Sequence, residues 1–193
     1  MTLKVTFELA EADLDHFRTI MREARELARE RGKDAVLGAA DGLLSRVRSA
    51  EVPDFVRERL ERIQTLIDML RDAEWQLPEE ETNRVLNALA YFSEPEDLIP
   101  DHVPGLGFLD DAIMVELVVL ELRHEVDAYQ DFCAFRASEE ARRQRIGKQE
   151  DPVTREQWLA SRRKALHSRM RSRRRADRER RHRPGSRSPF SLF

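Results

Sequence analysis

The sequence predicts an all-α protein, a helical bundle of five or six helices with a basic C-terminal tail. Three observations support this fold class. Apolar residues recur at helical spacing through most of the chain, 37% of the residues are charged, and only 7% are aromatic. Such a profile is typical of surface helices rather than of a β-sandwich. The alternating stretch Val5–Leu9 is the exception, and its pattern is that of a short N-terminal strand.

The helices are predicted from their apolar faces and from the residues that begin or end them. Gly32 ends the first helix, because glycine tolerates the left-handed C-cap conformation. Pro53 suits the first turn of the third helix, and the acids after Pro78 favour the positive end of the fourth. Thr154 and Gln157 form a capping-box pair for the sixth. The predicted ranges are 11–31, 34–48, 53–75, 78–92, 110–136 and a helix from about 154.

Two glycines lie inside the second predicted helix. Gly38 and Gly42 are four residues apart, so they share one face. Each lowers helix stability by about 1 kcal/mol relative to alanine. We expect the shared face to permit a close approach of another helix.

Composition favours a cytoplasmic location. The chain has one cysteine, Cys133, so it can form no internal disulfide, and a reducing compartment is the default. Its first residues lack the apolar core of a signal peptide. The most apolar stretch, Ala112–Leu120, covers nine residues and contains Glu116, whereas a membrane span needs about 20. We therefore expect neither secretion nor a transmembrane span.

Charge divides the chain into two parts. Residues 1–136 carry 16 basic and 30 acidic residues, and residues 137–193 carry 18 basic and 7 acidic residues. Such segregation is typical of an interaction tail. We predict an acidic helical body over 1–136 and a basic, partly helical tail over 137–193 that is disordered near its end.

One motif resembles a known family. The chain reads Ala-Leu-x-Tyr, Pro-x-Asp-Leu-Ile-Pro-Asp, a further Pro, a Gly and Asp-Asp over residues 88–111. This pattern closely resembles the YkvA-like family, a bacterial domain family of uncharacterised function. The resemblance implies two helices folded around a Pro/Asp-rich turn. Its motif residues here are Tyr91, Pro95, Asp97, Leu98, Ile99, Pro100, Asp101, Pro104, Gly107, Asp110 and Asp111.

A structural interpretation accounts for the whole motif. Pro95 and Pro100 stop helix continuation, and residues before proline favour extended conformations. Leu98 and Ile99 between them are expected to fill the gap between the helices as core residues. Asp110 or Asp111 lies where a carboxylate caps the fifth predicted helix.

The alternative is a cation site. Carboxylate oxygens suit Mg²⁺ or Ca²⁺, and four aspartates lie close together in sequence. Their spacing is not that of a calcium loop, and short acidic residues favour turns and caps in any case. We therefore prefer the structural role for Asp97, Asp101, Asp110 and Asp111.

No catalytic constellation is evident. Glu121 and His124 have the Glu-x-x-His spacing of ferritin-like metal bundles, but those bundles need the element twice. We interpret His124, Glu125, Asp127 and Asp131 as exposed charges on a solvated helix face. Cys133 is expected to be a buried, inert thiol. We assign no catalytic residue, no metal ligand and no cofactor.

The tail carries a dense arginine run. Arginine binds phosphate well because its planar guanidinium donates paired hydrogen bonds. The run can bind nucleic acid or an anionic lipid surface, and the alternatives are a solvated tail or one lying on the acidic body. The sixth predicted helix has an apolar side formed by Trp158, Leu159, Leu166 and Met170. We nevertheless expect residues 162–193 as a whole to offer little apolar surface to the core. The candidate polyanion-binding residues are Arg162, Arg163, Lys164, Arg169, Arg171, Arg173, Arg174, Arg175, Arg178, Arg180, Arg181 and Arg183.

Three functional hypotheses follow. The first is a non-enzymatic binding or adaptor protein whose tail contacts nucleic acid or another polyanion. The second is a metal-dependent protein or enzyme that uses the loop aspartates. The third is a peripheral membrane protein held by its arginines. A protein partner is compatible with each.

Overall fold

The structure, a computed structural model, describes residues 9–93, 103, 107–146 and 153–181. Within these residues every regular element is helical, which confirms the all-α fold class. The strand predicted at Val5–Leu9 lies almost wholly outside the described residues, and Leu9 itself is not in a strand. Leu98 and Ile99, the predicted core residues of the motif, also lie outside them.

The described residues form eight α-helices and one 3₁₀ turn, so the predicted count of five or six helices is wrong. Two predicted helices are each divided in two, at Glu61 and at Leu122. Neither junction contains proline or glycine, so the sequence offered no signal for a break. The elements are α1 Glu11–Arg31, α2 Lys33–Ser49, α3 Asp54–Leu60, α4 Arg62–Arg71, α5 Glu79–Leu89, the 3₁₀ turn Ala90–Ser93, α6 Leu109–Glu121, α7 Arg123–Ile146 and α8 Arg155–Arg181.

The chain divides into two compact units. The described residues of unit 1 are 9–63, 86–93, 103 and 107–121, and those of unit 2 are 64–85, 122–146 and 153–181. The charge boundary predicted between residues 136 and 137 lies inside α7.

In unit 1, α1 and α2 pack on each other and on the 3₁₀ turn, and α3 packs on α2 and α6. Met21, Leu43 and Leu44 lie in the core of this unit. The α1–α2 junction is at Gly32, which ends α1 as the sequence predicts. Its φ of 82° favours glycine, but its ψ of 169° is not that of the predicted left-handed C-cap. The predicted close approach at Gly38 and Gly42 is wrong for the described residues. Apart from the backbone of α2 itself, none of their heavy atoms lies within 4 Å of a Cβ placed at either position.

In unit 2, α7 packs along α8. The indole of Trp75 is fully buried and contacts three rings. Its ring centroid lies 5.0 Å from that of Phe132, 5.8 Å from that of Tyr129 and 4.3 Å from that of His167. This aromatic cluster joins α8 to the rest of unit 2.

Candidate functional site

The described motif residues lie in the core of unit 1. Tyr91 and Phe92 are buried in the 3₁₀ turn, with their rings edge to face at 5.2 Å. The Gly107 amide donates a hydrogen bond to the Val103 carbonyl at 2.8 Å, and Phe108 follows with a φ of 63°. Pro95, Asp97, Leu98, Ile99, Pro100, Asp101 and Pro104 lie outside the described residues.

Asp110 and Asp111 lie in the first turn of α6 and are each 4% exposed. Carboxylates at this end of a helix are stabilised by the partial positive charge of its free amides. Both residues take part in further interactions. Within the described part of the chain, no three His, Cys, Asp or Glu side chains are close enough to hold a metal ion. Asp97 and Asp101, the other half of the alternative cation site, lie outside that part.

The inner face of α8 is apolar and buried. Trp158, Leu159, Leu166 and Met170 are all buried, which confirms the apolar side predicted for this helix. The Trp158 ring lies edge to face with that of Phe135 on α7, 5.5 Å between centroids. The expectation that residues beyond 162 offer the core little is therefore wrong for Leu166 and Met170, which are 2% and 1% exposed.

Ion pairs hold the beginning of α8. The carboxylate of Glu74 accepts hydrogen bonds from Arg155 and Arg136, and the Glu74 carbonyl accepts one from Arg163 at 2.7 Å. Arg136 also pairs with Asp72 at 2.9 Å. Glu74 therefore links α7 and α8.

A second cluster holds the middle of α8. Arg174 is half-buried and lies 3.3 Å from the carboxylate of Glu125, 3.4 Å from that of Glu81 and 2.5 Å from that of Glu80. Arg84 reaches the same oxygen of Glu125 at 3.1 Å. Glu81 and Glu125 are 1% and 0% exposed. The two buried carboxylates are thus balanced by two guanidinium groups.

A third cluster lies near the end of α8. Asp177 accepts hydrogen bonds from His124 at 2.7 Å and from Arg123 and Arg180. Burial opposes ionisation of Asp177, but the hydrogen bonds from His124, Arg180 and Arg123 hold its pKa below the usual range. The carboxylate therefore stays charged and ties α8 to the beginning of α7.

The structure corrects the predicted solvated face of α7. Glu125 is buried and His124 is half-buried, whereas Asp127 and Asp131 are exposed as predicted. Glu121, at the end of α6, is buried as well. Helical spacing could not reveal this, because Glu125 is buried by cations 41 and 49 residues away in sequence. Cys133 is half-buried rather than buried, and its sulfur lies 3.7 Å from a nitrogen of Arg136.

The predicted polyanion-binding residues fall on two sides of α8. Arg162, Arg163 and Arg174 belong to the inner side, where Arg162 lies over the Phe135 ring at 5.0 Å. The side chain of Arg181 and the whole of Arg183 lie outside the described residues. The other members are exposed, and we call the solvent-exposed part of α8 that carries them the outer face. At 3.6 residues per turn, four of them follow one edge of this exposed surface and three follow the opposite edge. The four are Lys164, Arg171, Arg175 and Arg178, and the three are Arg169, Arg173 and Arg180.

Acidic groups neutralise only part of the outer face. Arg169 lies 3.7 Å from Asp131, and Arg175 pairs with Glu179 at 2.9 Å. Among the described residues, Lys164, Arg171 and Arg173 have no acidic hydrogen-bond or ion-pair partner. The outer face therefore presents uncompensated positive charge to solvent.

None of the helices in the described ranges combines the length and hydropathy needed to cross a bilayer. A family described as "Protein of unknown function (DUF1232)" matches residues 85–117. The uncharacterized membrane protein YkvA of Bacillus subtilis (strain 168) is 32% identical over 104 residues, which cover 51% of this chain and 92% of that protein.

No solved structure matches the chain. The family match spans the end of α5, the 3₁₀ turn and most of α6, which is where the sequence resemblance lies. The similarity to YkvA extends beyond this segment to about half of the chain. The chain therefore belongs to the YkvA-like family of proteins of unknown function.

Proposed function

We propose that this protein is a non-enzymatic binding or adaptor protein of the cytoplasm whose outer face of α8 contacts nucleic acid. One observation supports this above the others. Lys164, Arg171 and Arg173 are exposed and have no acidic partner among the described residues. Cations without internal partners are available to the phosphates of a ligand.

The chemistry of the outer face suits a phosphate backbone. Guanidinium groups donate paired hydrogen bonds to phosphate oxygens. Binding releases counterions that are condensed on the nucleic acid, so affinity is electrostatic and falls with salt. The proposed surface leaves out Arg163 and Arg174. The Glu74 carbonyl already binds Arg163, and the Glu125 carboxylate already binds Arg174.

The test is fluorescence anisotropy of labelled DNA and RNA with the full chain across a salt series. A variant with Lys164, Arg171 and Arg173 all changed to Gln should lose most of the binding. The matched control is R22Q/R29Q/K33Q, which removes the same number of charges from exposed residues of α1 and α2 in unit 1. Flat titrations at low salt, or equal losses in both variants, would contradict the proposal.

A second candidate is electrostatic attachment to an anionic membrane surface. It is favoured by the name of the Bacillus subtilis relative, which is called a membrane protein. The exposed large apolar residues of the described chain are Leu9, Phe55, Leu120 and Val153, and none lies on α8. Attachment through α8 would therefore rest on charge and not on insertion of apolar side chains.

Vesicle sedimentation distinguishes this candidate from the first. Vesicles that contain phosphatidylserine should retain the full chain at low salt if the membrane is the ligand, and neutral vesicles should not. Binding to these vesicles together with no binding to DNA or RNA would favour the membrane and contradict the nucleic-acid proposal.

A further inference from the structure

The outer face of α8 contains a straight line of cations. Lys164, Arg171, Arg175 and Arg178 are separated by seven, four and three residues, and these intervals return to the same side of a helix. With a rise of 1.5 Å per residue, the line is about 21 Å long. We call these four residues the cation line.

The described part of α8 exposes no aromatic ring beside this line. Its only aromatic and imidazole rings are those of Trp158 and His167, which are both buried, at 8% exposure each. Trp158 lies against Phe135, and His167 lies against Trp75. Proteins that bind single strands stack the bases on aromatic side chains. The outer face has no such platform.

The helix that carries the cation line is attached to the rest of unit 2 at several residues. Arg163 and Arg174 bind groups of α5, the α4–α5 connection and α7, and Asp177 binds Arg123 on α7, so α8 is attached near both ends and at its middle. A regular row of cations along one anchored helix is best matched by a regular row of phosphates. A duplex provides these at one charge per about 1.7 Å of axis, and a single strand is flexible and less densely charged.

We infer that the cation line binds the phosphate backbone of a nucleic-acid duplex, in preference to a single strand and without regard to base sequence. This inference rests on the proposed nucleic-acid contact and specifies its ligand. Along about 21 Å of helix, three or four side chains reach phosphates, since a duplex strand carries a phosphate for each 3.4 Å of axis.

The experiment compares ligands of equal length with the full chain. The probes are a duplex of about 20 base pairs, a second duplex of unrelated sequence, and oligothymidine of the same length. Both duplexes should bind equally and more tightly than oligothymidine. The logarithm of the binding constant should fall against the logarithm of salt with a slope of roughly −3 to −4 for the duplex.

A variant locates the contact. K164Q/R171Q removes two cations of the line that have no acidic partner among the described residues, so we expect its fold to be retained. Duplex affinity should fall by roughly tenfold or more, and the salt slope should become less steep by about 2. R22Q/R29Q should change neither quantity, and circular dichroism should show equal helix content in all three proteins.

The outcomes separate this inference from the function on which it rests. Equal or tighter binding of oligothymidine would overturn the duplex preference and leave the nucleic-acid contact standing. Unequal binding of the two duplexes would overturn the claim that the cation line binds the phosphate backbone without regard to base sequence. An unchanged salt slope in K164Q/R171Q would overturn the cation line as the contact. No binding of any probe at low salt would overturn both proposals.

Discussion

Arg174 stabilises unit 2 through charges that are out of contact with water. Its guanidinium lies within 3.4 Å of both Glu81 and Glu125, and these carboxylates are almost completely buried. A buried ion pair adds little net stability over apolar residues of the same shape, because both charges lose their hydration. Removing one partner is different, since it leaves a buried charge uncompensated.

The first prediction concerns this residue. Arg174→Leu should lower the free energy of unfolding by about 3–5 kcal/mol, because Arg84 alone cannot balance two buried carboxylates. The measurement is the midpoint of chemical denaturation. Arg173→Leu is the matched control, because Arg173 is exposed and should change stability by only about 0.5 kcal/mol. Similar midpoints for the two variants would show that Arg174 contributes no more than its neighbour.

The second prediction concerns pH. Burial and, to a smaller extent, the charges of Arg171 and Arg163 together lower the pKa of His167 from 6.5 to about 4. The unfolded chain therefore binds a proton below pH 6.5 that the folded protein accepts only near pH 4. The contribution of His167 to stability is complete above pH 6.5 and declines as the pH falls towards 4.

The decline should approach about 1 kcal/mol per pH unit in the middle of this range. The measurement is denaturation of wild type and His167→Gln from pH 7.5 to 4.5, followed by tryptophan fluorescence, since Trp75 contacts His167. Gln does not titrate, so the stability difference between the two proteins should change with pH. Parallel stability curves would mean that His167 is not the titrating group.

At the scale of the element, α2 contains two glycines whose replacement by alanine would stabilise the helix. A Cβ at Gly38 or Gly42 would meet no heavy atom of the described chain within 4 Å, apart from the backbone of α2 itself. The third prediction is therefore that Gly38→Ala raises the free energy of unfolding by about 1 kcal/mol, because alanine has the higher helix propensity. Thermal denaturation measures the change.

Gly32 provides the contrast within the same pair of helices. It too has open space around it, but its φ of 82° disfavours a side chain. Gly32→Ala should lower stability by about 1–2 kcal/mol. If Gly32→Ala stabilised the protein or Gly38→Ala destabilised it, backbone conformation would not determine the direction of the change in the free energy of unfolding.

Features set by nearby residues could be predicted from the sequence, and features set by packing between distant segments could not. The bounds of α1 are confirmed because a regular apolar face ends at a glycine with positive φ, and both features are local. The apolar side of α8 is confirmed for the same reason. The break at Leu122 and the burial of Glu125 depend on packing between distant segments. No pattern within a window of one helix contains that information.

At the scale of the whole molecule, α8 is an integral part of unit 2. It covers Trp75 through His167 and supplies Arg174 to the buried carboxylates. The fourth prediction is that deletion of residues 154–193 exposes Trp75 to water and moves its fluorescence emission to longer wavelength. Full-length Trp158→Phe is the reference protein, because Trp75 is then the only tryptophan in both chains.

A matched truncation tests whether α8 itself is responsible. Deletion of residues 182–193 from the Trp158→Phe protein leaves all of α8 in place. The emission of Trp75 should therefore stay at the same wavelength. An unchanged spectrum after the longer deletion would mean that other parts of unit 2 shield Trp75 without α8.

The acidic side chains beneath α8 act as counterions supplied by the protein itself. Glu74, Glu81 and Glu125 neutralise arginines that would otherwise repel one another and attract ions from the buffer. The count of arginines in the sequence therefore overestimates the electric field that α8 projects into solvent. A substitution of Glu74 by Gln would release part of that masked charge, and the protein would then elute from a cation-exchange column at higher salt.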